Sequence, residues 1–165
     1  MAENIIRRLV YGKPVNRILV VGGANVDASP IMQYLLRAES AARAMTVESA
    51  GLSASEGMQM SARAHAFLSN RGIRQDELSS FRSRKLSDAL ARDFELLLVS
   101  SMALKGFLLF LYPDMTIYTF SEYALIGSDA GEMAGADDGE YARIANELAE
   151  MSVRIVARAV KNTTF

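Results

Sequence analysis

Apolar residues along the chain fall into short runs separated by longer stretches with helical spacing. The short runs at residues 17–21, 45–49, 94–99 and 115–118 predict strands. The stretches at residues 30–43, 61–70, 103–111 and 140–160 have apolar residues spaced as on one face of a helix. This alternation predicts an α/β fold, a three-layer α/β/α sandwich with a four-stranded parallel sheet, because right-handed crossovers place helices on both faces of such a sheet.

The remaining segments lack a clear period. Residues 73–90 are polar and predict a loop that leads into another helix, and residues 127–139 are rich in Gly, Ala, Ser and Asp and predict a mobile loop. In the last helix, one stripe of apolar residues predicts a core-facing surface; it consists of Ile144, Leu148, Met151, Ile155 and Ala159.

Residues 1–16 predict a short amphipathic helix that ends at Gly12 and Pro14. Three interpretations remain open for this extension: a surface helix covering one edge of the domain, a docking segment for a partner, or a frayed terminus. The chain thus divides into a helical extension at residues 1–16 and one domain at residues 17–165.

Composition excludes several classes of function. The 165 residues include 18 basic and 19 acidic ones, a net charge of −1, so no overall field favours nucleic acid or acidic lipid. The apolar run at residues 106–112 is too short for a membrane helix, and residues 1–16 do not resemble a signal peptide. We therefore expect a soluble cytoplasmic protein without a nucleic-acid or membrane partner, and we interpret the run at 106–112 as a surface that a homodimer covers.

The chain contains no cysteine and a single histidine, His65. These counts exclude disulfides, thiolate metal sites and thiol nucleophiles together. A lone His in a predicted helix is more typical of a surface residue than of a metal site, so we expect neither a metal nor another cofactor.

The most informative stretch connects the first strand to the first helix. A strand, a glycine-containing turn and a helix that begins at Ser29-Pro30 form the usual cradle for an anion, with Ser29 as the expected N-cap. However, no Cys, Lys, Arg or His lies between Val20 and Pro30, and Asp27 has the charge that opposes an anion. The backbone therefore predicts a phosphate site that lacks the side chains for phosphate chemistry.

Several landmarks occur in a recognisable order. They are Asn25 with Ser29-Pro30, Ser49-Ala50-Gly51, Gly57, Arg82-Ser83-Arg84-Lys85-Leu86, Pro113, Glu122-Tyr123-Ala124 and Tyr141. Together they resemble the low-molecular-weight protein tyrosine phosphatase family, which includes related arsenate reductases. The resemblance covers about residues 16–160 and implies the fold described as phosphotyrosine protein phosphatase I-like.

The resemblance also implies which groups catalysis would need: a Cys nucleophile, an Arg six positions later, and an Asp in a late Asp-Pro loop. These positions fall on Gly22, Ala28 and Gly135-Ala136. The sequence therefore predicts no catalytic residue. The degenerate phosphate loop consists of Gly22, Gly23, Ala24, Asn25, Val26, Asp27, Ala28 and Ser29, and the candidate late loop of Gly135, Ala136, Asp137 and Asp138.

In the family, an Asn, two Ser and a His hold the phosphate loop in shape. The matching residues here are Asn25, Ser29 and Ser49, while the His position is Phe81. The resemblance thus implies that Asn25, Ser29 and Ser49 support the loop although its chemistry is gone.

We interpret the chain as a catalytically inactive, phosphatase-like binding or regulatory protein with an unidentified protein partner. One alternative is a weak phosphate- or phosphoprotein-binding module that uses the loop amides with Arg82 or Arg84. Another is a phosphatase with replaced groups, in which Asp27 acts with Asp137 or Asp138; a simpler role for Asp27 is to cap nearby backbone N–H groups. The basic cluster of Arg82, Arg84 and Lys85 is either a solvated face or an anion contact.

Overall fold

The computed structural model describes residues 15–163. The helix predicted to end at Gly12 and Pro14 lies outside this range. The division of the chain into an extension and a domain therefore stays a prediction.

The described residues contain one sheet of four parallel strands. The strands are β1 (Arg17–Gly22), β2 (Thr46–Gly51), β3 (Leu96–Val99) and β4 (Ile117–Thr119), in the spatial order β2-β1-β3-β4. β1 and β3 lie in the centre, and their fully buried aliphatic side chains are typical of parallel strands covered on both faces. The predicted four-stranded parallel sheet is confirmed.

The helices of the described residues follow the strands in the order expected for an α/β fold. They are α1 (Ala28–Glu39), α2 (Ala62–Asn70), α3 (Gln75–Ser80), α4 (Asp88–Arg92), α5 (Met102–Leu111), α6 (Phe120–Ala124) and α7 (Asp138–Thr163).

Side chains of β1 alternate between two apolar cores. Ile18 and Val20 join the core that contains the buried faces of α1 and α7, whereas Leu19 and Val21 join the core that contains Leu108 of α5. The sheet is thus the middle layer of a three-layer sandwich, as predicted. The stripe predicted for the last helix is buried throughout: Ile144, Leu148, Met151, Ile155 and Ala159 are each at most 2% exposed.

Several predicted boundaries were wrong. α1 begins at Ala28 rather than Pro30 and ends at Glu39 rather than Arg43. Just beyond its end, the N–H groups of Ala41 and Arg43 donate to carbonyls three residues back, so the chain leaves the α-helical hydrogen-bond pattern there.

The sequence analysis missed two short helices, α3 and α6. α3 lies within the segment predicted as a loop at residues 73–90, and α4 is the helix into which that loop was expected to lead; the hydroxyl of Ser87 caps α4 by accepting from the N–H of Leu90. α6 follows β4 directly and begins with a capping box: Thr119 Oγ1 accepts from Glu122 N at 3.1 Å, and Glu122 Oε2 accepts from Thr119 N at 2.9 Å. Helices of five or six residues are too short to show an apolar period.

The outer face of α5 is unusually apolar. Large side chains that remain exposed on it are Met102, Phe107, Leu109, Phe110 and Leu111, with Phe110 at 82% exposure. We call these five residues the α5 face. None of the helices within residues 15–163 combines the length and hydropathy that crossing a bilayer requires.

Candidate functional site

The first loop, residues 22–29, connects β1 to α1 at the carboxyl edge of the sheet. All four strands are parallel, so their carboxyl ends meet at this edge, where ligand sites of open α/β sheets form. A cavity of about 880 Å³ opens here, and all eight residues of the first loop line it. We call it the loop cavity.

A buried hydrogen-bond network holds the first loop in place. Asn25 is 2% exposed, and its side-chain amide donates to Ser29 Oγ at 3.0 Å and to Ser49 Oγ at 2.9 Å. Its carbonyl oxygen accepts from the backbone N–H of Arg84 at 3.0 Å. The structure thus brings together the three residues expected to support the loop, and it adds a backbone contact from the segment that follows α3.

Asn25 also has a left-handed backbone conformation, with φ of 60°. Asn tolerates this region better than most residues other than Gly, so the sharp turn and the amide network both depend on the same side chain.

Gln33 is a supporting residue that sequence reasoning missed. It lies in α1, is 6% exposed, and its Oε1 accepts a hydrogen bond from the hydroxyl of Ser49. The available signal was one amide within the otherwise apolar run at residues 30–36, since a buried polar side chain normally has a partner.

Ser29 does not cap α1, contrary to the sequence prediction. The helix starts two residues earlier than predicted, at Ala28, so Ser29 lies in its first turn and its hydroxyl accepts from Asn25 instead. The residue before the helix is Asp27, and its side chain makes no capping hydrogen bond. The capping role proposed for Asp27 was therefore also wrong.

The carboxylate of Asp27 is held by two hydroxyl groups. Ser61 Oγ donates to Asp27 Oδ1 at 2.5 Å, and Tyr141 Oη donates to the same atom at 2.7 Å. Burial, together with the bond to Asp27, raises the pKa of Tyr141 well above its usual value, so this hydroxyl stays a donor at neutral pH. The guanidinium of Arg63 stacks 4.1 Å from the centre of the Tyr141 ring.

The four residues of the candidate late loop are placed away from the cavity wall. Arg63 donates to the carbonyl of Ala136 at 2.7 Å and lies 3.5 Å from the carboxylate of Asp138. Asp137 accepts from the N–H of Glu140 at 2.8 Å and so begins α7. Instead of Gly135 and its successors, residues 131–134 line the loop cavity. The aperiodic sequence here offered no register from which this shift could be predicted.

Gly22, at the position expected for the nucleophile, has no reactive group, and Ser29 occupies the space that a side chain there would need. A Cβ atom on Gly22 would lie 2.8 Å from Ser29 Oγ and 3.1 Å from Ser29 Cβ, so any side chain at this position requires Ser29 to move. Ala28 occupies the position expected for the phosphate-binding Arg.

The side chains lining the loop cavity invert the charge that an anion site needs. Among the described residues, those on its wall with side chains that are charged at neutral pH are Asp27, Asp88 and Glu132, and no Lys, Arg or His joins them. Asp88 accepts from the hydroxyl of Tyr112 at 2.8 Å, and burial followed by this bond raises the pKa of Tyr112. Much of the rest of the wall is apolar and is formed by Leu52, Leu86, Leu104, Phe107 and Leu111.

Arg82 and Arg84 do not reach the loop cavity. The guanidinium of Arg84 donates to the carbonyl of Ser49 at 3.0 Å and pairs with Glu48 at 2.5 Å, and both arginines line a separate cleft. The hypothesis that either side chain assists anion binding at the first loop is therefore wrong.

His65 lies half-buried in α2, beside Met60 and Leu78, rather than at the first loop. Within residues 15–163, no group of three His, Cys, Asp or Glu side chains is arranged to hold a metal ion.

No protein-family model and no curated protein matches the sequence. Solved structures do match the fold. A low-molecular-weight protein tyrosine phosphatase from T. tengcongensis is 26% identical, with a TM-score of 0.78 over 86% of this chain and 97% of that one. The arginine phosphatase YwlE from Geobacillus stearothermophilus is 23% identical, with a TM-score of 0.78 over 86% of this chain and 91% of that one.

The tyrosine phosphatase Wzb from Escherichia coli K30, solved in complex with sulphate, is 23% identical, with a TM-score of 0.77 over 87% of this chain and 97% of that one. At this level of identity the likeness establishes the architecture rather than an activity. The chain therefore has the α/β fold of the low-molecular-weight protein tyrosine phosphatases, and it contains no cysteine.

Proposed function

We propose that the protein is a pseudophosphatase, a non-catalytic binding or regulatory protein that holds an unphosphorylated segment of a partner protein in the loop cavity. The observation that carries this proposal is the composition of the cavity wall. Its side chains that are charged at neutral pH are carboxylates, Gly22 stands at the position implied for the nucleophile, and the chain has no thiol.

Loss of the nucleophile alone accounts for inactivity. Removing one member of a catalytic unit typically costs a factor of about 10⁴ or more, and further losses add little because the groups act together. Here the nucleophile and the phosphate-binding Arg of the related enzymes are both replaced, by Gly22 and Ala28.

The charges on the wall favour an unphosphorylated occupant. A carboxylate about 4 Å from a phosphate opposes it by about 4 kcal/mol at the dielectric effective near a protein surface. The leucines and Phe107 that line the same cavity offer apolar contact instead, so an uncharged or aromatic side chain suits the cavity better than a phosphate does.

The two alternatives find less support. Asp27 is engaged by two hydroxyls, and Asp137 and Asp138 lie away from the cavity wall, so a replaced catalytic pair is not assembled there. Anion binding by the loop amides keeps one argument in its favour, namely the preserved shape of the turn before α1.

We expect the purified chain to hydrolyse neither p-nitrophenyl phosphate nor a phosphotyrosine peptide above the protein-free rate, with Wzb as the active control. We also expect inorganic phosphate and vanadate to leave the NMR signals of the amides of residues 22–29 unchanged. A clear rate that is lost in Asp27→Asn would overturn the proposal in favour of an enzyme with replaced groups. Shifts confined to the first loop would favour the anion-binding alternative.

Two phenylalanines of α5 provide a matched test of partner binding. Phe107 is 53% exposed and lines the loop cavity, whereas Phe110 is 82% exposed and lies outside it. We expect Phe107→Ser to abolish capture of the partner from native extract, because it removes apolar contact inside the cavity, and Phe110→Ser to leave capture intact. Equal capture by both variants would contradict binding in the cavity.

The Phe110→Ser variant also tests the homodimer hypothesis. If a second copy covers the α5 face, Phe110→Ser should convert a dimer into a monomer in sedimentation equilibrium, since the face would lose its most exposed aromatic ring. A native chain that is monomeric at all concentrations would contradict the homodimer.

A further inference from the structure

A second cleft on the β2 side of the sheet carries the opposite charge. It has a volume of about 340 Å³ and lies between α1, β2 and the segment after α3. Three arginines line it, Arg37, Arg82 and Arg84, together with a single carboxylate, Glu48. We call it the arginine cleft.

Each guanidinium in the arginine cleft is anchored by a backbone carbonyl. Arg37 Nε donates to the carbonyl of Val47 at 2.7 Å, and Arg84 Nε donates to that of Ser49 at 3.0 Å. Arg82 Nη1 donates to the carbonyls of Ser79 at 2.8 Å and Phe81 at 2.6 Å. The side chains are therefore positioned before any ligand arrives, which lowers the entropy cost of binding.

A backbone carbonyl is uncharged, so the bonds that anchor these guanidinium groups do not neutralise their positive charge. Of the three arginines, Arg84 is paired with Glu48, whereas Arg37 and Arg82 form no ion pair with any residue of the described part of the chain. Three guanidinium charges against one carboxylate give the cleft a net charge of about +2 on a chain whose total is −1. The arginine cleft is thus positively charged, whereas the charged side chains that line the loop cavity are negative.

We propose that the arginine cleft binds the phosphate group of a phosphorylated peptide. A phosphate monoester carries nearly two negative charges at neutral pH, which matches the charge of the cleft, and its oxygens accept the parallel N–H donors of guanidinium groups. The small volume suits one phosphate, whereas nucleic acid requires an extended row of cations along its backbone.

This site is separate from the loop cavity, although the support network lies between them. Ser49 and Gln33 line the arginine cleft, and the hydroxyl of Ser49 accepts from Asn25 of the first loop. A partner protein could thus present a phosphate to the cleft and an unphosphorylated segment to the cavity, but each site can be tested alone.

The test compares two double variants that remove the same charge. Arg37→Gln with Arg82→Gln alters the arginine cleft, and Arg74→Gln with Arg92→Gln alters two exposed arginines that pair with surface aspartates elsewhere. Titration calorimetry with a phosphoserine peptide should show affinity about tenfold weaker or more in the cleft variant and unchanged in the control. Replacing both cleft arginines by Lys should give an intermediate loss, because the charge stays while the paired donors are lost.

The outcomes separate this proposal from that for the loop cavity. Phosphopeptide binding should shift NMR signals of residues near Arg37 and Arg82 and leave those of residues 22–29 in place. Equal affinity in both double variants, or equal binding of the unphosphorylated peptide, would overturn the proposal. Binding of vesicles that contain a phosphoinositide, with none of the peptide, would overturn it in favour of a lipid headgroup.

Discussion

Gly51→Ala should destabilise the domain by about 3 kcal/mol, the upper end of the range for overpacked sites, and lower its melting temperature by about 6–12 °C. A Cβ atom on Gly51 would lie 2.3 Å from the carbonyl oxygen of Gly23 and 3.0 Å from the backbone nitrogen of Asn25. Both are backbone atoms, so relief requires the first loop to move rather than a side chain to rotate. Thermal and urea unfolding measure the effect.

The reason for this close approach is the way β2 supports the first loop. The N–H groups of Leu52 and Ser53 donate to the carbonyls of Gly22 and Gly23 at 2.9 and 3.0 Å, so the two turns are joined side by side. Gly51 lies where they meet. A side chain there would break these bonds or push the loop towards the cavity.

Gly106→Ala provides the matched control. Gly106 lies within α5, and a Cβ atom on it would meet nothing within 4 Å. The same substitution should therefore stabilise the protein by about 0.5–1 kcal/mol, since Ala is the better helix former. If Gly51→Ala proved as harmless as Gly106→Ala, the close approach of Gly51 to the first loop would be disproved.

Asn25→Ala should cost about 3–4 kcal/mol of unfolding free energy. The change removes both amide donors and the carbonyl acceptor: the hydroxyl of Ser29 and the backbone N–H of Arg84 lose their partner, and the hydroxyl of Ser49 keeps only its bond to Gln33. It also forces a residue with no polar side chain into a left-handed conformation. Urea unfolding at constant slope gives the difference directly.

Asn70→Ala serves as its control, because Asn70 is exposed at the end of α2. We expect a change within about 0.5 kcal/mol, as for most surface substitutions. A loss below about 1 kcal/mol for Asn25→Ala would mean that the network does not hold the loop.

Together, these two predictions test the residues that hold the first loop in shape, independently of the positions where catalytic groups would be expected. The residues that the resemblance implied as loop supports, Asn25, Ser29 and Ser49, do meet in one hydrogen-bond network, and the structure adds the close approach at Gly51. The residues at the positions where the resemblance places the nucleophile and the phosphate-binding Arg, Gly22 and Ala28, carry no functional group. A loop that keeps its supports while lacking reactive side chains is what a binding protein derived from an enzyme would need, which supports the proposed function.

Local patterns predicted the sheet well and the short helices poorly. β1 and β3 are continuous aliphatic runs, and the stripe from Ile144 to Ala159 repeats at helical spacing, so burial and period identified them. α3, α4 and α6 contain five or six residues each, too few for a period, and they depend on caps and packing. The end of α1 was misjudged because the apolar period does not reveal where hydrogen bonds to carbonyls three residues back replace the α-helical ones.

The sequence by itself determined what this protein lacks and how its strands and long helices follow one another. Absence of cysteine needs no structure, and apolar period is a property of neighbouring residues. Only the tertiary structure decided where side chains distant in sequence meet. Tyr141 donates to Asp27, and Ser49 donates to Gln33. Glu132 joins the wall of the loop cavity, and Arg37 and Arg82 line the same cleft. Such contacts depend on the directions in which separate elements present their side chains, and a linear pattern does not contain that information.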